Sequence, residues 1–362
     1  LILGNARSVG GLRRALKRAE RPRLQWTSTS EEIRVKTTIF GKTGLEVSKL
    51  AFGTWEFSSD WGHADEEAAI TMIHRARDLG INFFDTAQQY GFGASERILG
   101  KALRTELSRN REDVVIATKG GLRATDHGLV RDGSPEWLRK GVDSSLSALG
   151  IDYIDVYLVH WPDTKLPASE SAGALRDLVS EGKIRHVGVS NYDTAQVEDF
   201  SATLAVEVVQ PPYHLFRREI EGELLPYCKN HDIGVMVYGP LAHGLLTGTM
   251  NSDTTFAAGD WRGKSDIFTG NGYLRNLDVV AQLQDLAVEL GVTVSQLAIA
   301  WTIAQPGVQV AIVGAQHITY LQDSAGAADV SLSDADLDAV DKILQSAAPV
   351  GGPYPEMHAK AS

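Results

Sequence analysis

A chain of 362 residues with 43% apolar and 22% charged side chains has the composition of a globular protein with a sizeable core, and α/β barrels of this length form one unit. No apolar run approaches the roughly 18 residues needed to cross a membrane, and a net charge of −11 argues against nucleic acid or an anionic membrane as partner. Cys228 is the single cysteine, which excludes an internal disulfide and a cysteine-built zinc site and fits a reducing, cytoplasmic compartment.

The charge is unevenly placed. Residues 1–36 carry nine Lys/Arg against three Asp/Glu, with no apolar stretch long enough for a secretory signal. With no methionine before Met72, this segment reads as a disordered extension or a mis-set start. Its Arg-rich, acid-poor character is also that of an organelle transit peptide. From Thr37 the pattern changes, first to a hairpin of Thr37–Phe40 and Leu45–Val47 around a turn at Gly41–Gly44. Eight short strands are then expected, at Lys49–Phe52, Asn82–Phe84, Val114–Thr118, Ile154–Val159, His186–Val189, Val206–Val209, Val235–Tyr238 and Gln309–Val313. Between them lie helical patterns that include Asp65–Leu79, Ser95–Glu106, Pro135–Leu149, Ala168–Glu181 and Leu277–Leu290, several closed by glycine.

Near-continuous apolar strands alternating with helices imply a parallel sheet covered by helices. Eight such units over residues 37–362 fit a closed (β/α)8 TIM barrel preceded by a β-hairpin. An open doubly wound sheet would show a glycine fingerprint after its first strand, and none stands there. The weakly periodic stretch 241–276 reads as a long loop after strand seven, placed to lie over a ligand.

In such a barrel the chemistry sits at the C-terminal strand ends. Read in order, those ends carry Gly53-Thr54-Trp55, Asp85 with Tyr90 five residues on, Ala117-Thr118-Lys119, Val159-His160-Trp161, Gly188-Val189-Ser190-Asn191, Val209-Gln210 and Tyr238-Gly239-Pro240-Leu241. In this order the motifs resemble the aldo-keto reductase family from about Thr37 to Gln345. Gln210-Pro211-Pro212-Tyr213 and Gly244-Leu245-Leu246-Thr247-Gly248 are similar to its bacterial and channel-subunit branches. The resemblance implies a nicotinamide-dependent oxidoreductase whose catalytic tetrad is Asp85, Tyr90, Lys119 and His160.

The residue types support that chemistry on their own terms. A free tyrosine is a poor acid at neutral pH, and a neighbouring ammonium favours the phenolate and eases proton transfer. Lys119 is the candidate ammonium, with Asp85 orienting it through an ion pair. His160 would donate to a substrate carbonyl oxygen, stabilising alkoxide character while Tyr90 supplies the proton.

Ser190, Asn191 and Gln210 can bond a nicotinamide carboxamide, and Tyr238 offers a stacking surface where the channel-subunit branch has Trp. Gly53, Thr54, Trp55 and Asp85 complete that end. Gly239 and Pro240 are also expected at the cofactor, and Leu241, Gly244 and Leu245 are expected to bring loop N–H groups to the pyrophosphate. Gly314, Gln316, Tyr320, Asp323 and Ser324 face the adenosine. Family habit implies NADP, yet relatives carry Arg or Lys near the neutral Gln316, so NAD is compatible.

Trp55, Tyr90, His160 and Trp161 are expected to meet a small aldehyde, ketone or sugar-type carbonyl or alcohol. Phe92 and Tyr192 also fall over the barrel mouth, as do Phe57 and Trp61, which are expected to pack beneath loops. One alternative is a cofactor-binding regulatory subunit of the same fold with little turnover. Another is a barrel metallohydrolase, but no His pair has metal-ligand spacing near the strand ends. The oligomeric state is left open.

Overall fold

The computed structural model describes residues 34–58, 65–126, 128–257 and 260–352. In chain order these form β1 (Thr37–Ile39), β2 (Glu46–Ser48), β3 (Leu50–Gly53), α1 (Glu66–Asp78), β4 (Phe83–Asp85), α2 (Ala94–Ala102), α3 (Arg104–Arg109) and β5 (Val115–Gly120). Next come β6 (Leu122–Thr125), β7 (Gly128–Arg131), α4 (Pro135–Leu149), β8 (Ile154–Val159), α5 (Ala168–Ser180), β9 (Ile184–Ser190), α6 (Thr194–Ser201) and β10 (Val208–Gln210). The last are α7 (Leu224–Asn230), β11 (Gly234–Tyr238), α8 (Gly270–Glu289), α9 (Val294–Ala304), β12 (Val310–Val313), α10 (Ile318–Gly326) and α11 (Asp334–Leu344).

β3, β4, β5, β8, β9, β10, β11 and β12 pair in parallel and close into a barrel, while β1 and β2 form the expected antiparallel hairpin. Alternation along the strands separates two cores. Ala51, Phe83, Val115, Ala117, Val156, Leu158, Val208, Met236, Val310 and Ile312 pack together inside the cylinder. Their neighbours Leu50, Phe52, Phe84, Ile116, Tyr157, Val159, Val209, Val235, Val237, Ala311 and Val313 face the helices. Phe40 and Val47 of the hairpin join the inner cluster, and Phe40 meets Phe83 edge to face at 5.4 Å. The hairpin therefore plugs the barrel at the end where β11 starts, the amide of Lys42 donating to Asp232 O at 2.7 Å.

Two residues beyond the packed inner layer, the same alternation delivers a ring of a different character. Ala51 leads to Gly53, Phe83 to Asp85, Ala117 to Lys119 and Leu158 to His160. In the same step Gly188 leads to Ser190, Val208 to Gln210, Met236 to Tyr238 and Ile312 to Gly314. Strand geometry alone thus gathers these eight at one mouth of the cylinder.

The helices hold the strands in place through local signals. α4 has Ser134 capping its N-terminus, Pro135 in its first turn and Gly150 in the left-handed conformation at its end. Gly100 of α2 lets that helix touch the end of α4: a Cβ there would stand 2.3 Å from Leu149 O. Gly100→Ala should force the helices apart and cost about 1–3 kcal/mol, read as a lower urea midpoint with an unchanged slope.

Several boundaries differ from the sequence reading. Val35 is buried and its amide donates to Leu79 O at 2.8 Å, so the folded body begins before Thr37. Of the basic segment, residues 1–33 lie outside the described residues. The helix expected at Ser95–Glu106 breaks at Leu103 into α2 and α3. The loop expected over 241–276 ends sooner, because α8 starts at Gly270, and short 3₁₀ turns punctuate it at Ala242–Thr247, Trp261–Lys264 and Asp266–Phe268. The hairpin β6–β7 has no counterpart in the sequence pattern, being short, part-exposed and preceded by Gly120-Gly121.

Candidate active site

A cleft of about 660 Å³ opens over the ring of strand-end residues and runs on past the β11 loop to α9 and α10. Beneath its floor Lys119 is fully buried, from β5. Its Nζ donates to Asp85 Oδ2 at 2.8 Å and Thr86 O at 2.8 Å, and reaches the Tyr90 hydroxyl at 3.3 Å. Burial works against charge on both members of the ion pair, raising the Asp85 carboxyl and lowering the Lys119 ammonium, while each partner's charge opposes that effect. Asp85 Oδ1 takes a further hydrogen bond from Gln210 Nε2 at 2.7 Å, so both carboxylate oxygens are engaged.

His160 stands across the phenol, its ring 5.9 Å from that of Tyr90 and nearly perpendicular. Burial, and then the Lys119 charge, hold the imidazole well below the usual histidine range, so it is neutral at pH 7. Nδ1 is buried without a hydrogen-bond partner, leaving Nε2 as the ring nitrogen that the cleft reaches. A proton on Nε2 leaves only a lone pair orphaned behind the ring, and Nε2–H then points a donor at the cleft.

The polar rim is wired to itself more than its residue types suggest. Asn191, at φ 63°, donates through Nδ2 to His160 O at 2.9 Å and Ser190 Oγ at 3.0 Å, and its Oδ1 accepts from Tyr238 OH at 2.8 Å. Ser190 Oγ donates to Gln210 O at 2.8 Å. Gln210 lines the cleft with one of its two amide N–H groups given to Asp85.

The structure brings most of the sequence-selected residues to one wall, with exceptions. Gly53, Trp55, Asp85, Tyr90, His160, Trp161, Ser190, Asn191, Gln210, Tyr238, Gly239, Pro240, Leu241, Gly244, Gly314, Gln316, Tyr320, Asp323 and Ser324 line the cleft. Thr54 lies behind it, its hydroxyl donating to Asp85 O at 3.1 Å, and Leu245 is buried in the outer core. The Gly244 amide, expected to face the cleft as a donor, is taken by Leu241 O at 3.0 Å. Of the aromatic set, Phe57 packs on Phe52 and Tyr192 on Phe200, while Phe92 is 57% exposed at φ 49°. Trp61 lies outside the described residues.

Residues absent from the sequence reading complete the walls. Leu122 and Leu129 of the missed hairpin line the mouth beside Gln89. Glu56 reaches the cleft against Gly314, where any Cβ would strike its carboxylate. Burial, with the Asp85 charge adding, pushes its carboxyl up to about 7. Trp55 stacks on Tyr90 at 6.4 Å and on Trp261 at 6.2 Å, and His243 meets Trp261 edge-on at 5.1 Å. This aromatic stack ties the β11 loop to the loop after β3. Only contact across the cleft marks these residues, and no local pattern announces it.

His243 gives the stack a pH signature. Burial, and then Arg217 and Arg262, lower its imidazole to about 4. The folded chain therefore keeps it neutral where the unfolded chain, with a pKa near 6.5, takes up a proton. The stability it confers is present above about pH 6.5 and is lost as pH falls toward 4. Urea midpoints at pH 7 and pH 5 should show wild type losing ground to His243→Gln on acidification.

Among the described residues no group of three His, Cys, Asp or Glu side chains forms a metal site. Comparison with known proteins places the arrangement. The aldo/keto reductase family model matches residues 49–345. The chain is 38% identical over 311 residues to aldo-keto reductase YhdN of Bacillus subtilis, covering 85% of this chain and 93% of that protein. It is 35% identical over 318 residues to the NADH-specific methylglyoxal reductase of Escherichia coli, covering 83% and 96%. The structure of glycerol dehydrogenase from Gluconobacter oxydans superposes with a TM-score of 0.79 at 35% identity, covering 89% of this chain and 98% of that one.

Proposed function

The chain belongs to the aldo/keto reductase family of enzymes, and from that premise we propose that it reduces small aldehydes or ketones, or oxidises the matching alcohols, with Tyr90 as the proton donor and acceptor. The observation that carries this reading is the buried Asp85–Lys119 pair with its ammonium 3.3 Å from the Tyr90 hydroxyl, facing His160 across the cleft.

The residues present fit a nicotinamide dinucleotide. Tyr238 presents a ring at the rim, and Gly53 and Gly314 line the floor where β3 and β12 pair. The cleft continues far enough to reach α10. Gln210 Oε1 and the second lone pair of Asn191 Oδ1 would accept from the carboxamide, with Ser190 beside them. Arg262, which lines the cleft from the β11 loop, would lie toward the pyrophosphate. When bound, the dinucleotide supplies or accepts the hydride.

The protein's own work is electrostatic and protonic. His160 Nε2–H and the Tyr90 hydroxyl would converge on one substrate oxygen and stabilise the negative charge growing there. Tyr90 then gives up its proton, and the phenolate left behind is stabilised by the adjacent Lys119 ammonium. Asp85 and Thr86 O keep that ammonium aimed. Trp55, Trp161, Leu122 and Leu129 form apolar walls that suit a small uncharged molecule.

A screen of methylglyoxal, other short aldehydes and ketones, and glycerol-type polyols, followed by nicotinamide absorbance with NADH and NADPH, tests the reading. Turnover of at least one class is expected. Tight dinucleotide binding with no turnover of any would replace the reductase by a regulatory subunit of the same fold.

A further inference from the structure

The far end of the cleft, away from Tyr90, is walled by Thr293, Ser295, Gln316, Tyr320, Asp323 and Ser324. None of these carries a positive charge. Among the described residues lining the whole cleft, Arg262 is the one Lys or Arg. It stands on the β11 loop rather than on α9 or α10, and its guanidinium is held by Asp260 at 2.7 Å. The sequence makes this regional. From Asn276 to Asp341 there is no Lys or Arg at all, and that stretch contains the C-terminal part of α8 with α9, β12 and α10 entire. His317 caps α10 but packs its ring on Tyr320 at 5.4 Å and takes no part in the cleft wall.

The group that is there is an acid. Asp323 lines the cleft, and its two oxygens accept from Thr293 Oγ1 at 3.1 and 3.0 Å, which fixes the carboxylate on α10 against the N-cap of α9. Thr293 Oγ1 is one donor shared between two oxygens, so the carboxylate keeps lone pairs for a second partner. A ribose 2′-hydroxyl is such a partner, a neutral donor of the kind that carboxylates hold in dinucleotide sites. A 2′-phosphate is the opposite: a dianion with acceptors only, which ordinarily needs Arg or Lys. Beside a carboxylate, with no cation to offset it, that dianion is repelled in a partly desolvated cleft.

Resting on the dinucleotide reading above, we propose that this chain selects NAD(H) over NADP(H), with Asp323 and Gln316 as the residues that set the choice at the adenosine ribose. Family habit alone points to NADP; the wall of this cleft points the other way.

Separate fluorescence titrations of the full chain with NADH and NADPH test this without any turnover. NADH should bind at least about tenfold more tightly. Equal affinity, or tighter NADPH, overturns the proposal while leaving the dinucleotide reading intact. Binding of neither overturns both. Gln316 is exposed, so Gln316→Arg can be made without disturbing the core, and it should move the NADPH-to-NADH affinity ratio about tenfold toward NADPH. Asp323→Asn should narrow the gap by improving NADPH. A ratio unmoved by either change overturns the assignment of these residues.

Discussion

Tyr90→Phe should lower turnover by about 10²- to 10⁴-fold, the range that a positioned proton donor supplies. The expected loss is in the chemical step. The hydroxyl faces Lys119 and the substrate side of the cleft, while the ring keeps its stack on Trp55 and its edge contact with His160. A Phe retains both ring contacts, so NADH affinity from fluorescence titration should change by less than about twofold, a shift too small for a lost direct hydrogen bond. Full turnover in the Phe variant would remove the phenol from the mechanism. Parallel collapse of cofactor binding would instead place it in the nucleotide site.

Lys119→Met should cost both activity and stability, and a second substitution should separate the two. Lys119 is wholly buried and Asp85 nearly so. Deleting one charge strands the other, which costs about 3–5 kcal/mol in buried pairs. Adding Asp85→Asn removes the stranded charge and keeps an acceptor for Gln210 Nε2, so the double variant should recover most of the lost stability in urea unfolding. Turnover should not recover, because the ammonium beside Tyr90 is still missing. A double variant as unstable as the single would show that the cost lies in packing around the lysine stem. Recovery of turnover along with stability would mean that the lysine serves the fold alone.

The part of this molecule legible in its sequence is the part written in strand periodicity. Each tetrad strand ends in a polar residue two positions beyond a buried apolar one, so Asp85, Lys119 and His160 could be selected without knowledge of the third dimension. What periodicity cannot encode is where a rim group's hydrogen bonds go. Gln210 reads as a carboxamide ligand, yet one of its amide N–H groups goes to Asp85; Asn191 reads the same way, yet its donors serve His160 O and Ser190. The residues missed altogether, Glu56, His243, Arg262 and the β6–β7 hairpin, sit on loops whose order comes from contacts distant in sequence. α9 shows a related limit: it is buried nearly all round, so it lacks the one-sided stripe that marks a surface helix.

The Trp55–Tyr90–Trp261 stack has an optical consequence. Trp55 stacks on the phenol and Trp261 on Trp55, with indole emission in the band that dihydronicotinamide absorbs. A reduced cofactor seated at the rim would drain their excited states by resonance transfer. The chain thus carries its own lamp and detector for occupancy, and Trp261→Phe would dim the signal without touching the group proposed to move the proton.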